Sequence, residues 1–252
     1  MMAATKIAQA KASFYSTISA FLTFLRRPRL TDPPYENVAS KIAAGFWLFI
    51  LSLVITMGFG VLALPFMLMA KAAPGDQLQQ VLTQSLPSIV VSMILLGPLI
   101  EEIIFRGWLT GTWRSFAGSA LFLAVVFGGA PLMTKFFGGP LIVKQLILAG
   151  LGLVTIWMLA PIDRGTRVTG YERAFPFLFW GQGIVFGVLH YHNVAAGSAI
   201  ISLLSTLPLI ACGWLWGYAR IALGMNGAVM VHAAYNVPVA FGMIVLMMMH
   251  PA

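Results

Sequence analysis

The chain has 252 residues, of which 60% are hydrophobic and only 9% charged, and its mean hydropathy is +0.91. A soluble globular protein carries roughly 25% charged residues, so these proportions exclude a water-soluble domain and make lipid the solvent for most of the chain. The net charge of +8 belongs, in such a protein, to short loops facing anionic lipid, and no nucleic-acid partner is expected.

Apolar residues at 7, 14, 18, 21, 22 and 25 repeat at helical spacing ahead of Arg26, Arg27 and Arg29. That pattern predicts a helix lying in the membrane interface. The Ser, Thr and Gln residues among them do not form the core of a cleaved leader. Asp32, Pro33 and Pro34 break this helix. Residues 1–41 are therefore expected to form a cytoplasmic, interfacial segment, and residues 42–252 a single polytopic membrane domain.

Crossing a hydrocarbon core of ~30 Å takes about 20 helical residues. Candidate spans fall at 42–70, 86–106, 117–137, 140–161, 175–195, 198–219 and 225–249. The expected fold is all-α: a polytopic transmembrane helical bundle of about seven spans plus the amino-terminal interfacial helix. Pro74-Gly75-Asp76, Gly138-Gly139-Pro140 and the stretch from Asp163 to Arg173 punctuate it, with a weaker break at Ala196-Gly197.

Orientation follows from the basic residues. With the amino terminus inside, the inner side holds Lys6, Lys11, Arg26, Arg27, Arg29, Lys41, Arg106, Arg114, Arg164, Arg167, Arg173 and Arg220. The outer side holds only Lys71, Lys135 and Lys144. This asymmetry predicts a multi-pass protein of a cell inner membrane, amino terminus cytoplasmic and carboxyl terminus outside.

Gly183/Gly187 and Gly213/Gly217 are small pairs four residues apart, the spacing that lets helices approach closely. Cys212, the single cysteine, has no disulfide partner and reads as a small core hydrophobe. The tryptophans, among them Trp47, Trp108, Trp113, Trp180, Trp214 and Trp216, mark interfaces and are assigned no chemistry.

Polar groups inside spans are costly, so each is a functional hypothesis. Glu101, Glu102 and Arg106 share one span; His190, with His192 and Asn193 beyond it, lies in a second; His232 and Asn236 lie in a third. Glu102 and Arg106 are four apart, acid before base, the favourable order for a pair on one helix face. Glu101 points elsewhere and is left available as a general base. His232 and Asn236 are again one turn apart. Taken singly, the Glu102–Arg106 pair also fits a snorkelling ion pair, and each histidine a packing residue. Together they supply a carboxylate, imidazoles and an amide, the parts needed to split an amide with activated water. His192 and Asn193 read as a polar helix end, and His250 as solvated.

Glu101-Glu102-x-x-x-Arg106, Phe186-x-x-x-His190 and His232-x-x-x-Asn236, in that order, resemble the three motifs of the CAAX protease and bacteriocin-processing (CPBP) family. These are intramembrane endopeptidases similar to the Ras-converting CAAX endopeptidase. The resemblance covers roughly residues 86–240, and Arg106-Gly107-x-Leu109 extends it. It implies that Glu101 activates water with help from His190, and that His232 and Asn236 form the oxyanion hole. It further implies that Glu102 and Arg106 hold the first helix and the substrate, and that no metal is obligatory. The implied partner is a membrane-associated peptide or protein within the lipid bilayer.

The family usually places its second motif on the helix after the first, whereas here about 80 residues separate Arg106 from His190. For the two to meet, either the second span must run on past Arg106 towards Trp113 or the fifth must begin later than 175. Three other readings stand beside the peptidase. A zinc hydrolase would use Glu101, His190 and His232 as ligands. A non-catalytic membrane scaffold would keep the same fold, and a proton-coupled transporter would use the same carboxylates.

Overall fold

The computed structural model describes residues 13–30, 34–35, 37–69, 73–74, 84–136, 143–144, 146–147, 150–152, 154, 165–191, 194–195 and 199–249. Their architecture is helical, apart from an antiparallel ladder of two residues a side joining β1 (Ala73–Pro74) to β2 (Val194–Ala195).

Helix α1 runs Phe14–Arg26 and starts on a capping box, in which the Ser13 and Ser16 hydroxyls each accept the other's backbone N–H. It does more than lie in an interface. Thr17 and Phe21 are buried, and Phe24 packs edge-on against Phe179 and tilted against Tyr218. Helix α2, Val38–Met69, begins where Asn37 Oδ1 accepts the Ser40 N–H at 2.7 Å. It starts ahead of the expected span at 42–70 and is apolar and largely exposed towards its carboxyl end, as suits a surface facing acyl chains.

Helix α3, Leu86–Arg106, contains a π-helical stretch at Val91–Leu96. Turns at 107–110 follow, then α4, Trp113–Phe136. Gly111, at φ 71°, allows the chain to turn back there, so that Trp113 N donates to Thr166 O and Val168 N to Gly111 O. Helix α5 is Tyr171–Leu189.

Helix α6 spans Ala199–Met249 but breaks at Gly224, whose φ 83° and ψ 179° leave the helical region. Trp216 and His232 stand eight residues either side of Gly224, yet their rings stack with centroids 3.7 Å apart. On one straight helix they would be about 24 Å apart. The chain therefore doubles back at Gly224, and residues 199–223 and 225–249 form a helical hairpin.

Three described stretches are long and apolar enough to cross a membrane: Val38–Phe66, Leu86–Arg106 and Ile201–Val245. The last is the pair of spans expected at 198–219 and 225–249, joined without a loop. The apolar stretch Trp113–Gly128 is shorter. The expected span at 140–161 lies mostly outside the described residues, as do Lys6, Lys11, Lys71, Arg164, His192, Asn193 and His250. A count of seven spans is thus not reproduced among the described residues.

The helices lock together through small residues. A Cβ on Gly213 would lie 2.9 Å from the Gly183 Cα, and one on Gly187 would lie 2.7 Å from the Ile210 backbone nitrogen. The expected close approach occurs between α5 and residues 199–223, which run antiparallel. At one end of the bundle Arg220 Nε donates to Arg106 O at 3.1 Å and Thr112 bridges Arg167. Arg26, at the end of α1, Arg27 and Arg29, just after it, and Arg173, at the start of α5, sit at this same end.

Candidate active site

The site is built on the buried carboxylate of Glu102. Its Oε1 accepts from Arg106 Nη1 at 2.7 Å and from His232 Nδ1 at 2.9 Å, with Glu102 and Arg106 fully buried. Arg106 spends its other donors on Gln182 Oε1, at 3.0 Å from Nε, and Gly213 O, at 3.3 Å from Nη2. The Gln182 amide donates to the same Gly213 carbonyl at 3.1 Å. The guanidinium also lies 4.4 Å from the Phe186 ring centroid. A buried charge is tolerable only when paired and hydrogen-bonded; these partners satisfy Arg106 and Glu102 Oε1, while Glu102 Oε2 is buried with no hydrogen-bond partner among the described residues. The contacts also tie α3, α5 and both arms of the hairpin to one another.

Glu101, on the adjacent position of α3, faces a different space. Its side chain is 30% exposed, and its Oε2 lies 3.6 Å from His232 Nε2 and 4.0 Å from His190 Nε2. His190 caps α5, and its Nδ1 lies 2.7 Å from Phe186 O. A carbonyl only accepts, so this Nδ1 carries the hydrogen. The same logic applies to His232 Nδ1 against the Glu102 carboxylate. In the neutral rings both Nε2 atoms then present lone pairs towards Glu101. Glu101 Oε2 and the two Nε2 atoms converge on one partly exposed space, where Glu101 and a neutral His190 can accept from a water molecule and His232 Nε2 accepts when the ring is neutral or donates when both its nitrogens carry hydrogen.

The His232 ring is held flat by Trp216, which stacks on it at an interplanar angle of 20°. Trp216 Nε1 in turn donates to Ser52 Oγ on α2 at 3.1 Å.

Asn236 lies one turn beyond His232 and donates to Met93 O at 2.8 Å. Local sequence explains this contact. The Gly97 N–H is bonded to Ser92 O in the π pattern, so the next donor in line for Met93 O would be residue 98. That residue is Pro98, which has no N–H. Asn236 supplies the missing donor and keeps a second amide hydrogen.

Glu101, Glu102, Arg106, His190 and His232 are thus brought into one contact network; Asn236, one turn beyond His232, contacts the π-helical turn of α3 at Met93 instead. The fifth span does not begin late, since α5 starts at Tyr171. The chain does continue past Arg106, but as turns, and Tyr171 Oη donates to Trp108 O at 3.3 Å. α5 crosses α3 antiparallel, and the long Arg106 and Gln182 side chains take up the remaining offset. Gln182 and Trp216 were not singled out from sequence. A glutamine within an apolar helix, four residues before Phe186, was itself a signal of the kind that marked the histidines. A tryptophan in an apolar run carried none.

A zinc ion bound by three of these side chains at about 2.0–2.1 Å would hold the ligand atoms near ~3.3 Å from one another. The two nitrogen-to-Glu101 separations are wider. Among the described residues no group of three or more His, Cys, Asp or Glu side chains is placed to hold a metal ion.

Residues 83–165 match the family described as Rce1-like, the type II CAAX prenyl endopeptidases. The match supports the CPBP/CAAX protease family; it contains Glu101, Glu102 and Arg106 and ends before His190. No curated protein and no solved structure matches the chain.

Proposed function

We propose that this chain is a CAAX-type membrane protease and that it hydrolyses a peptide bond of a membrane-associated peptide or protein, with Glu101 as the base. The observation that carries this reading is the meeting of Glu101 Oε2 with the Nε2 atoms of His190 and His232, while both Nδ1 atoms are engaged elsewhere. Glu101 takes a proton from water as the water oxygen attacks the scissile carbonyl carbon, and His190 orients that water from the other side. The oxyanion that forms is held by the Nε2–H of His232 and the free amide hydrogen of Asn236. In this role His232 carries a hydrogen on each ring nitrogen, since Nδ1 already donates to Glu102. Two carboxylates then balance one guanidinium and one imidazolium, which keeps the buried cluster neutral. When the C–N bond breaks, Glu101 returns its proton to the departing amine, leaving one carboxyl and one amine product. Glu102 and Arg106 hold the catalytic helix and the His232 ring in place.

No metal is required in this scheme, and the zinc hydrolase remains the rival reading. The positive-inside rule puts the arginine-rich end in the cytoplasm, with the amino terminus inside and the carboxyl terminus outside an inner membrane. The test compares membrane peptides from cells expressing the wild-type chain and Glu101→Gln at equal abundance. Intact precursors accumulating only in the variant support the proposal, and identical peptide sets overturn it. Activity of the purified wild type that survives exhaustive chelation separates the metal-free route from the zinc one.

A further inference from the structure

Away from Glu101, α1, the residues just after it and the first hairpin arm (199–223) line an open groove of about 690 Å³. Its rim carries Arg26, Arg27 and Arg29, with the hydroxyls of Ser19 and Thr23 beside them. Its floor is apolar, formed by Phe24, Tyr218 and Ile221. The three arginines are exposed, and among the described residues none forms an ion pair with a carboxylate. Among the described residues no acidic side chain lines the groove. The proposed peptidase chemistry uses none of these residues.

From this we infer that the groove is a binding site for an anionic phospholipid, with the headgroup phosphate on the three guanidinium groups and the root of an acyl chain on the apolar floor. Planar guanidinium forks match phosphate oxygens in pairs. Basic pockets at the cytoplasmic end of membrane helices suit anionic headgroups. A free phosphate ion would use the rim alone. An amphiphile uses rim and floor together, which argues for lipid as the occupant. Tyr15, 82% exposed, and Leu22, 48% exposed, lie on this helix as well, apolar side chains available to the surrounding bilayer. Occupancy would fasten α1 to Tyr218 and Ile221, and so to the hairpin arm that carries Trp216. The inference stands whether or not the chain is a peptidase.

The test is native mass spectrometry of the full chain in neutral detergent, titrated with phosphatidylglycerol, phosphatidylcholine or inorganic phosphate. Phosphatidylglycerol should bind most tightly and be released by high salt. The triple variant Arg26→Ala/Arg27→Ala/Arg29→Ala should lose affinity by about fivefold for each arginine removed, whereas Lys at all three positions should retain most of it. Arg167→Ala, which removes an exposed arginine paired with Glu172, should leave binding unchanged. The proposal is overturned if the triple alanine variant binds phosphatidylglycerol like wild type or if Arg167→Ala weakens it equally. Equal binding of phosphatidylcholine, or competition by millimolar inorganic phosphate alone, overturns the assignment of an anionic lipid.

Discussion

Asn236 donates its side-chain amide to Met93 O at 2.8 Å, and that carbonyl lacks a helical donor because Pro98 has no N–H. One residue thus closes the π-helical turn of α3 one helical turn beyond His232, whose Nε2 reaches Glu101. π-Helical turns inside α-helices are frequent at functional sites.

The two duties of Asn236 can be separated. Asn236→Ala should lower kcat by ~10²-fold or more, the usual loss for an oxyanion donor. Pro98→Ala restores a backbone N–H for Met93 O, so adding it to Asn236→Ala should recover thermal stability without recovering turnover. Recovery of both would make Asn236 a positioning residue only.

Arg106 is fully buried with Glu102 and satisfies Gln182 and Gly213 as well. Arg106→Met strands the Glu102 carboxylate, for which a loss of about 3–5 kcal/mol in stability is expected. Arg106→Lys should lose nearly as much, because one ammonium cannot reproduce the guanidinium fork. Thermal unfolding in detergent measures both.

Gly213 touches Gly183 closely enough that a Cβ on it would come within 2.9 Å of the Gly183 Cα. Gly213→Ala should push α5 away from the hairpin, costing about 1–3 kcal/mol as overpacking. Activity should fall together with stability, since the Gly213 carbonyl is also where Arg106 and Gln182 meet. By contrast Gly181→Ala, where a Cβ meets nothing within 4 Å, should be tolerated in both assays.

Much of the site was legible from where polar groups interrupt apolar helices. Glu102 and Arg106 pair at the spacing their order predicts, and His190 and His232 both reach Glu101. The facing glycines of α5 and α6 were also readable, because small residues at a spacing of four have few other uses in lipid. What was hidden depended on tertiary approach. Trp216 looks like any interfacial tryptophan until the chain reverses at Gly224 and lays it on His232. The reversal itself was expected between the spans at 198–219 and 225–249, but not that it takes a single positive φ at Gly224 with no loop, nor which side chains it brings face to face. The contact of Asn236 with Met93 arises from Pro98 inside a π-helical stretch, and hydrophobic periodicity does not reveal that change of hydrogen-bond register.

The decisive measurement is turnover of a membrane-anchored peptide by purified chain in liposomes, wild type against Glu101→Gln at matched fold and abundance. Glutamine keeps the size and position of the side chain and removes its capacity to take a proton. Glu101 as the base requires cleavage by the wild type and a loss of at least about 10²-fold in the variant. Cleavage by Glu101→Gln at the wild-type rate would contradict it.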